Sequence, residues 1–243
     1  MFAWLLLFVV SDFTIFFTRD GGEIDKLPLV NFARYLFMGV FYLAYAQSAD
    51  VLERLGLPSS PAFRSRYISS FHAVALGLLG GLWQAGLAQP GWWIPLAQAL
   101  PCGYLFYDAY IIVTEPTLWK KTDLVHHQAF ALLVWYGATS YPDQTAWAFL
   151  AELSVPSLNL GWMMVQTGAN GRWPKLFVAN IAVLVIVFFE LRVVTFTRFI
   201  FEAIALEAWT ILPMVAILAA LNWYWFVLLL MKLHSTLGRK PPM

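Results

Sequence analysis

Long apolar runs follow one another along almost the whole chain, and they are the feature that most restricts its fold. Hydrophobic residues make up 60% of the 243 residues and charged residues only 12%, against about 25% charged in an ordinary soluble domain. A helix needs about 20 apolar residues to cross a hydrocarbon layer of roughly 30 Å with every backbone polar group bonded internally. The sequence therefore predicts an all-α polytopic membrane protein.

The apolar runs divide into eight candidate spans joined by short polar connections. They lie at 2–18, 33–50, 67–88, 93–115, 124–140, 145–166, 175–200 and 207–232. No basic segment precedes the first span and no small-residue cleavage site follows it, so we interpret it as a retained helix rather than a signal peptide. Asp12 interrupts this span, so we expect seven or eight transmembrane helices.

Basic residues alternate from one connection to the next. Those that precede the third, fifth and seventh spans or form the tail are Arg54, Arg64, Arg66, Lys120, Lys121, Arg172, Lys175, Lys232, Arg239 and Lys240. The turns at 88–91 and 141–144 carry no lysine or arginine. The positive-inside rule therefore places the basic connections and the carboxyl terminus in the cytoplasm. With 15 basic and 14 acidic residues, the chain has no charge footprint for nucleic acid.

Several polar side chains inside the spans fall at one depth. At 1.5 Å of rise per residue they lie within roughly 5–12 Å of the cytoplasmic edge of the hydrocarbon. This layer consists of His72, Asp108, His126, His127 and Asn159. Glu152 lies deeper, near the middle of the bilayer. Because ionisable groups in hydrocarbon usually face a bundle interior or a wet cavity, we expect a cavity open to the cytoplasmic leaflet.

Two adjacent histidines occupy the start of the fifth span, in KKTDLVHHQAF (120–130). Asp123 precedes His126 by three residues and His127 by four, a spacing at which a carboxylate on a helix can fix the tautomer of an imidazole. Adjacent residues diverge by about 100° around a helix, so only one imidazole can point fully into the cavity. The other would brace it or touch a neighbouring helix. Alternatively, both histidines bond only to backbone and headgroups at the interface.

Charges and a proline in the late spans lead to further expectations. The spacing of Arg198 and Glu202 permits an ion pair on one helix. We expect Arg192 to extend to the non-cytoplasmic interface. Pro156 should kink the sixth span beside Asn159 and free backbone carbonyls there.

Five blocks in this order and spacing resemble one known family. They are RSRYISSFHA (64–73), GYLFYDAYII (103–112), TDLVHHQAFAL (122–132), AELSVPSLNLGWMM (151–164) and NWYWFVLLLMK (222–232). They resemble the TLC domain shared by TRAM proteins, ceramide synthases and the CLN group. The resemblance divides the chain into amino-terminal transmembrane helices (1–59), a TLC domain (60–235) and a short cytoplasmic tail (236–243). It implies a helical barrel in the endoplasmic reticulum.

The ceramide synthases of this family imply a specific chemistry. They pass a long-chain acyl group from acyl-CoA to a sphingoid amine near a paired-histidine motif. By position, His126 and His127 match that pair, and Asp108 matches the acid of the preceding block. The later pair of aspartates in the synthases has no counterpart, because AELSVPSLNLGW (151–162) carries Glu152 and Asn159 instead. The chain is thus more similar to TLC domain-containing proteins outside the synthase branch.

We therefore expect an acyl-CoA-dependent lipid acyltransferase, with acyl-CoA as co-substrate and no bound cofactor. His126 or His127 acts as nucleophile or base, and Asp108 orients it. The predicted substrate pocket consists of His72, Asp123, Glu152, Asn159, Ser69 and Trp162. The CoA phosphates are expected at Lys120, Lys121, Arg64 and Arg66, although positive-inside topology alone also explains this basic ring.

A non-catalytic protein with the same fold is the alternative. It would bind lipid, regulate membrane composition or act as a cargo receptor, and the missing aspartate pair favours it. The expected partners are membrane lipids, a long-chain acyl group and a second copy of the chain. We expect no metal, because the sequence lacks tight ligand spacing such as His-x-x-x-His. A retinal protein is excluded, because the late spans carry lysine only at their ends, Lys175 and Lys232.

Overall fold

The computed structural model describes residues 27–118 and 121–237, and every regular element in these ranges is helical. The helices are α1 Leu27–Arg54, α2 Pro61–Gln84, α3 Pro90–Thr114, α4 Lys121–Ser140, α5 Pro142–Ala151, α6 Ser154–Gln166, α7 Ala169–Arg172, α8 Pro174–Phe188, α9 Thr195–Ala205 and α10 Leu212–Leu237. A 3₁₀ turn, Pro116–Leu118, follows α3, and a π-helical turn, Phe189–Val194, joins α8 to α9. The all-α prediction is confirmed for this part of the chain.

Within residues 27–118 and 121–237, four stretches are long and apolar enough to cross a membrane by length and composition. They are Pro90–Thr114, Pro142–Gln166, Pro174–Ala205 and Leu212–His234. Three further predicted spans coincide with α1, α2 and α4, which have the length of a span and carry more polar residues. The predicted first span, Lys120 and residues 238–243 of the tail lie outside the described residues.

Helix α2 lies several residues earlier than the predicted span 67–88. It begins at Pro61, and a proline suits the first helical position because the N–H it lacks would be unpaired there anyway. It ends at Gln84, two residues before Gly86, whose φ of 69° is in the left-handed region that terminates helices. Proline and glycine thus set both ends of this helix.

The sixth predicted span is broken into α5 and α6. Helix α5 ends at Ala151 and α6 begins at Ser154, so Pro156 lies in the first turn of α6. A proline ring clashes with the carbonyl four residues before it, which here belongs to Glu152. That carbonyl instead accepts from the amide of Val155 at 2.9 Å. The helix is thus interrupted at residues 152–153, before Pro156, and not beside Asn159 as predicted.

Glycines allow two pairs of helices to approach closely, as small residues do in membrane bundles. A Cβ on Gly103 of α3 would lie 2.7 Å from the carbonyl oxygen of Arg34 in α1. A Cβ on Gly80 of α2 would lie 2.5 Å from the carbonyl oxygen of Ala146 in α5. The main core fills the space between these helices, α4, α9 and α10, which places α2, α3 and α4 around a common interior.

We expect Gly80→Ala to lower the free energy of unfolding by about 1–3 kcal/mol, because its Cβ meets backbone that cannot move easily. Gly81→Ala is the matched control, since a Cβ there has nothing within 4 Å. It should leave stability unchanged or raise it by up to about 1 kcal/mol through helix propensity. Thermal unfolding in detergent micelles measures both. Equal effects of the two substitutions would contradict the close packing of α2 on α5.

Candidate functional site

Helices α3 and α4 bring a carboxylate and an imidazole together inside the bundle. Oδ2 of Asp108 lies 3.5 Å from Nε2 of His127, and the two residues are 6% and 8% exposed. The hydroxyl of Ser65 in α2 donates to Oδ1 of Asp108 at 3.5 Å, and the hydroxyl of Tyr104 also interacts with this carboxylate. Three helices therefore position the Asp108–His127 pair.

The second nitrogen of His127 is available for chemistry. Nδ1 is buried and has no hydrogen-bond partner among the residues described by the structure. When a carboxylate accepts from one ring nitrogen of a histidine, the proton is held there and the other nitrogen carries the lone pair. The arrangement thus presents Nδ1 of His127 as a base or a nucleophile.

Asp123, which the sequence spacing offers as a partner for the histidines, bonds elsewhere. Its Oδ1 accepts from the hydroxyl of Thr122 at 3.2 Å. Asp123 lies in the first turn of α4, where a carboxylate is favourable because of the helix dipole. The carboxylate that reaches a histidine is Asp108 of α3, so tertiary packing rather than local spacing selects the partner.

His126 points to a different side of α4. Its ring centroid lies 5.2 Å from that of Trp225 in α10, in an edge-to-face contact, and 5.8 Å from that of Phe130. Its Nδ1 is buried and unpaired within the described part of the chain. The rings of His126 and His127 are 5.7 Å apart. One histidine therefore faces Asp108, and its neighbour touches α10.

His72 lies behind the Asp108–His127 pair. Its ring stacks on Tyr104 at 3.7 Å with an interplanar angle of 11°, and it is 3% exposed. Tyr104 also interacts with Ser69, which is half-buried. His72 is therefore linked to Asp108 through the Tyr104 ring and not by a direct hydrogen bond within the described residues.

Arg192 lies inside the bundle, so the prediction that it extends to the interface is wrong. It is 5% exposed, and its Nη2 lies 2.8 Å from Oε1 of Glu152. Its Nε donates to the hydroxyl of Ser154 at 2.7 Å and to the carbonyl of Ala151 at 3.2 Å. The π turn that contains Arg192 packs against α5, which brings the guanidinium to the break before α6. The predicted ion pair on α9 is confirmed, since Nε of Arg198 lies 2.8 Å from Oε1 of Glu202.

Asn159 fastens α6 to α2. Its Oδ1 accepts from Nη1 of Arg66 at 2.9 Å, and its Nδ2 donates to the Arg66 carbonyl and to the Ser70 hydroxyl, both at 3.0 Å. The guanidinium of Arg66 lies 4.4 Å from the ring centroid of Trp162. Asn159, Arg66 and Trp162 therefore form one group of contacts that links α6 to α2.

The residues predicted to bind CoA phosphates have different surroundings. Nε and Nη2 of Arg64 both donate to the carbonyl of Tyr45, and its guanidinium lies 3.9 Å from the Tyr45 ring centroid. Because Arg66 donates a hydrogen bond to Asn159, both arginines have partners within the protein. Lys121 is exposed at the first residue of α4. Within the described ranges, no group of three or more His, Cys, Asp or Glu residues could hold a metal.

Comparison with known proteins places this arrangement in context. Residues 62–232, which include all of the helical positions just discussed apart from Tyr45, match the TLC domain. TLC domain-containing protein 4-B of Danio rerio is 32% identical over 142 residues, and the match covers 54% of this chain. It covers 53% of that protein, so the chain spans about half the length of this curated relative. No solved structure matches the chain.

Removing the Arg192 guanidinium should be strongly destabilising, because it leaves the Glu152 charge buried without compensation. We expect Arg192→Met to lower the free energy of unfolding by about 3–5 kcal/mol. Arg198→Met is the matched control on the same span, and it should cost about 0–1 kcal/mol, since Arg198 is half-exposed. Adding Glu152→Leu to Arg192→Met should recover part of the loss. Denaturant titration in micelles measures all three, and similar effects of the two arginine variants would refute the buried pair.

Proposed function

This chain belongs to the TLC domain family, and on that premise we propose that it acts on membrane lipids by acyl-CoA-dependent transfer of an acyl group to a lipid acceptor. One observation carries the proposal. Asp108 pairs with His127 inside the bundle, while Nδ1 of His127 has no hydrogen-bond partner among the described residues. An imidazole in this state can act as nucleophile or base towards a thioester.

The transfer takes two steps at His127. Nδ1 attacks the thioester carbonyl, so that a C–N bond forms, the C–S bond breaks and CoA leaves as the thiolate. The acceptor hydroxyl or amine then attacks the acyl carbon, forming a C–O or C–N bond and breaking the bond to Nδ1. The CoA thiolate released in the first step takes up the proton that the acceptor loses, so the net products are the acylated lipid and the free thiol of CoA. Reactants and products thus balance without any further co-reactant.

Asp108 supports both steps by electrostatics. Attack through Nδ1 puts positive charge on the ring, and a carboxylate that accepts from Nε2–H stabilises that charge and keeps the ring in one orientation. The contact of 3.5 Å is long for a hydrogen bond, as is common in proteins before substrate binds. Asp108 is therefore a positioning residue for His127 in this proposal.

The basic connections define the end of the bundle at which CoA would bind. By the positive-inside rule this end is cytoplasmic, with the carboxyl terminus on the same side and the endoplasmic reticulum as the organelle that the family implies. Arg64 is hydrogen-bonded to Tyr45 and Arg66 to Asn159. The CoA phosphates would therefore be bound mainly by Lys121 and its neighbour Lys120. Lys121 supports this assignment because it is exposed.

Glu152 and Asn159 favour a second candidate, a protein that holds a lipid without transferring an acyl group. They occupy the block in which the ceramide synthases carry an aspartate pair. Here the charge of Glu152 is compensated by Arg192, and both polar atoms of the Asn159 amide are bonded to α2. Neither residue is therefore available to act on substrate without first breaking these contacts.

We expect purified wild-type protein to convert palmitoyl-CoA and a membrane lipid extract into acylated lipid, measured by mass spectrometry. His127→Ala should reduce the rate about 100-fold or more, because it removes the nucleophile. Asp108→Asn should reduce the rate by about 10- to 100-fold. His234→Ala is the matched control, since His234 is exposed on α10, and it should leave the rate unchanged.

Thermal unfolding of each variant shows whether a lost rate reflects chemistry or misfolding. A folded His127→Ala protein that retains the wild-type rate would refute the assignment. Lipid that copurifies with the wild type, without any product and in equal amount in His127→Ala, would identify the lipid-holding alternative.

A further inference from the structure

Asn222 of α10 is a buried polar side chain without a bond. It is 0% exposed, and neither its Oδ1 nor its Nδ2 has a hydrogen-bond partner among the residues described. Leaving a buried donor or acceptor unpaired is unfavourable, whereas an apolar side chain of the same shape avoids that loss. Leu218 and Ala219, one turn earlier, lie in the apolar core. Packing alone would therefore favour leucine at position 222.

The other buried asparagines of the described helices show the contrast. Asn159 makes three hydrogen bonds to α2. Asn180 of α8 donates from Nδ2 to the carbonyl of Ser157 in α6 at 2.9 Å. Both amides join one helix to another. Asn222 has the same chemistry and is more deeply buried, yet it joins nothing in the described part of the protein.

Asn222 lies one helical turn before Trp225, the α10 residue whose ring contacts one of the paired histidines. Residues three apart are neighbours on a helix surface, and Trp225, three residues further on, contacts the ring of His126. Trp225 also packs against the cluster of Leu184, Phe188 and Val193 around the π turn. Arg192 in that turn interacts electrostatically with His126. Asn222 is therefore close to the junction of α4, α10 and the π turn.

We propose that Asn222 and His126 form a subsite for the polar end of the lipid acceptor, a hydroxyl or an amino group. This inference rests on the proposed acyl transfer and names the substrate group that the site receives. The Asn222 amide offers donors and an acceptor, and a hydroxyl or an amine offers both in return. A thioester carbonyl only accepts, so it would leave Oδ1 unpaired. Nδ1 of His126 supplies one more bonding atom.

The spacing of the two histidines suits this division of roles. Their ring centroids are 5.7 Å apart although the rings face different helices, so an acceptor group at His126 would have only a short distance to cover to an acyl group on His127. Holding two reactants at such a distance accelerates their reaction by converting it into an effectively unimolecular step. His126 and Trp225 are only half-buried, so this part of the cluster is near the outer surface of the bundle, where a lipid would enter.

The first test compares Asn222→Leu with Asn180→Leu as the matched control. Asn222→Leu should raise Tm by about 2–5 °C, because it removes an unpaired buried amide, while Asn180→Leu should lower Tm. In the acyl-transfer assay, Asn222→Leu should raise KM for the acceptor about tenfold or more and leave KM for palmitoyl-CoA unchanged. A fall in Tm with Asn222→Leu, or equal changes in both KM values, would overturn the inference.

A second test measures binding of an acceptor-like molecule in the absence of acyl transfer. It therefore distinguishes failure of this inference from failure of the proposed function. Hexadecanol is the probe, and hexadecyl methyl ether, which lacks the O–H donor, is its control. Hexadecanol should raise the Tm of the wild type more than the ether does, and Asn222→Leu should abolish that difference. This result supports the subsite even if no acyl transfer is detected. Equal shifts by the two probes in the wild type, or a difference that persists in Asn222→Leu, would overturn it.

Discussion

The buried ion pair between Arg192 and Glu152 joins the two irregular parts of the helical bundle. Pro156 interrupts the helix at Glu152 and frees backbone groups, which hydrocarbon does not tolerate unpaired. The Arg192 guanidinium donates to the Glu152 carboxylate, to the Ser154 hydroxyl and to the Ala151 carbonyl. Since a buried charge is strongly unfavourable without its partner, the π turn that carries Arg192 and the break before α6 stabilise each other. The positions of α5, α6, α8 and α9 depend on this contact.

The same requirement for pairing distinguishes polar side chains that are bonded within the protein from those that are not. The side chains of Asn159, Arg66 and Arg64 are hydrogen-bonded to neighbouring helices. Each of these bonds joins α2 to another helix. Asp108 likewise holds His127 through one nitrogen. Among the described residues, Nδ1 of each of the paired histidines and the Asn222 amide remain without a hydrogen-bond partner. Further unpaired atoms, on Tyr45, Tyr107 and His72, lie among stacked aromatic rings on α1, α2 and α3. The unpaired polar atoms of the described residues thus lie in two places, on α4 and α10 and among the aromatic rings of α1, α2 and α3.

The part of the architecture that depends on composition and local chemistry could be predicted. Apolar length located the helices, and Pro61 and Gly86 explain why α2 lies earlier than hydropathy placed it.

Counting depth from the helix ends put Asp108 and His127 in one layer, and their side chains do meet. The family resemblance assigned Asp108 as the residue that orients the histidine, whereas local spacing offered Asp123, because sequence separation says nothing about the neighbouring helix. Arg192 was missed because its inward direction depends on a π turn, although an acid as deep as Glu152 demands a buried base. Asn222 was missed because an uncharged residue within NWYWF gives no electrostatic signal.

The central claim is that Nδ1 of His127, held by Asp108, carries the acyl group. The most direct measurement is tandem mass spectrometry of the protein after brief incubation with palmitoyl-CoA and rapid quenching, with digestion and fragmentation that separate His126 from His127. We predict one palmitoyl group on His127 in the wild type and far less in Asp108→Asn. Acylation of a different residue, or product formation without any adduct on His127, would contradict it.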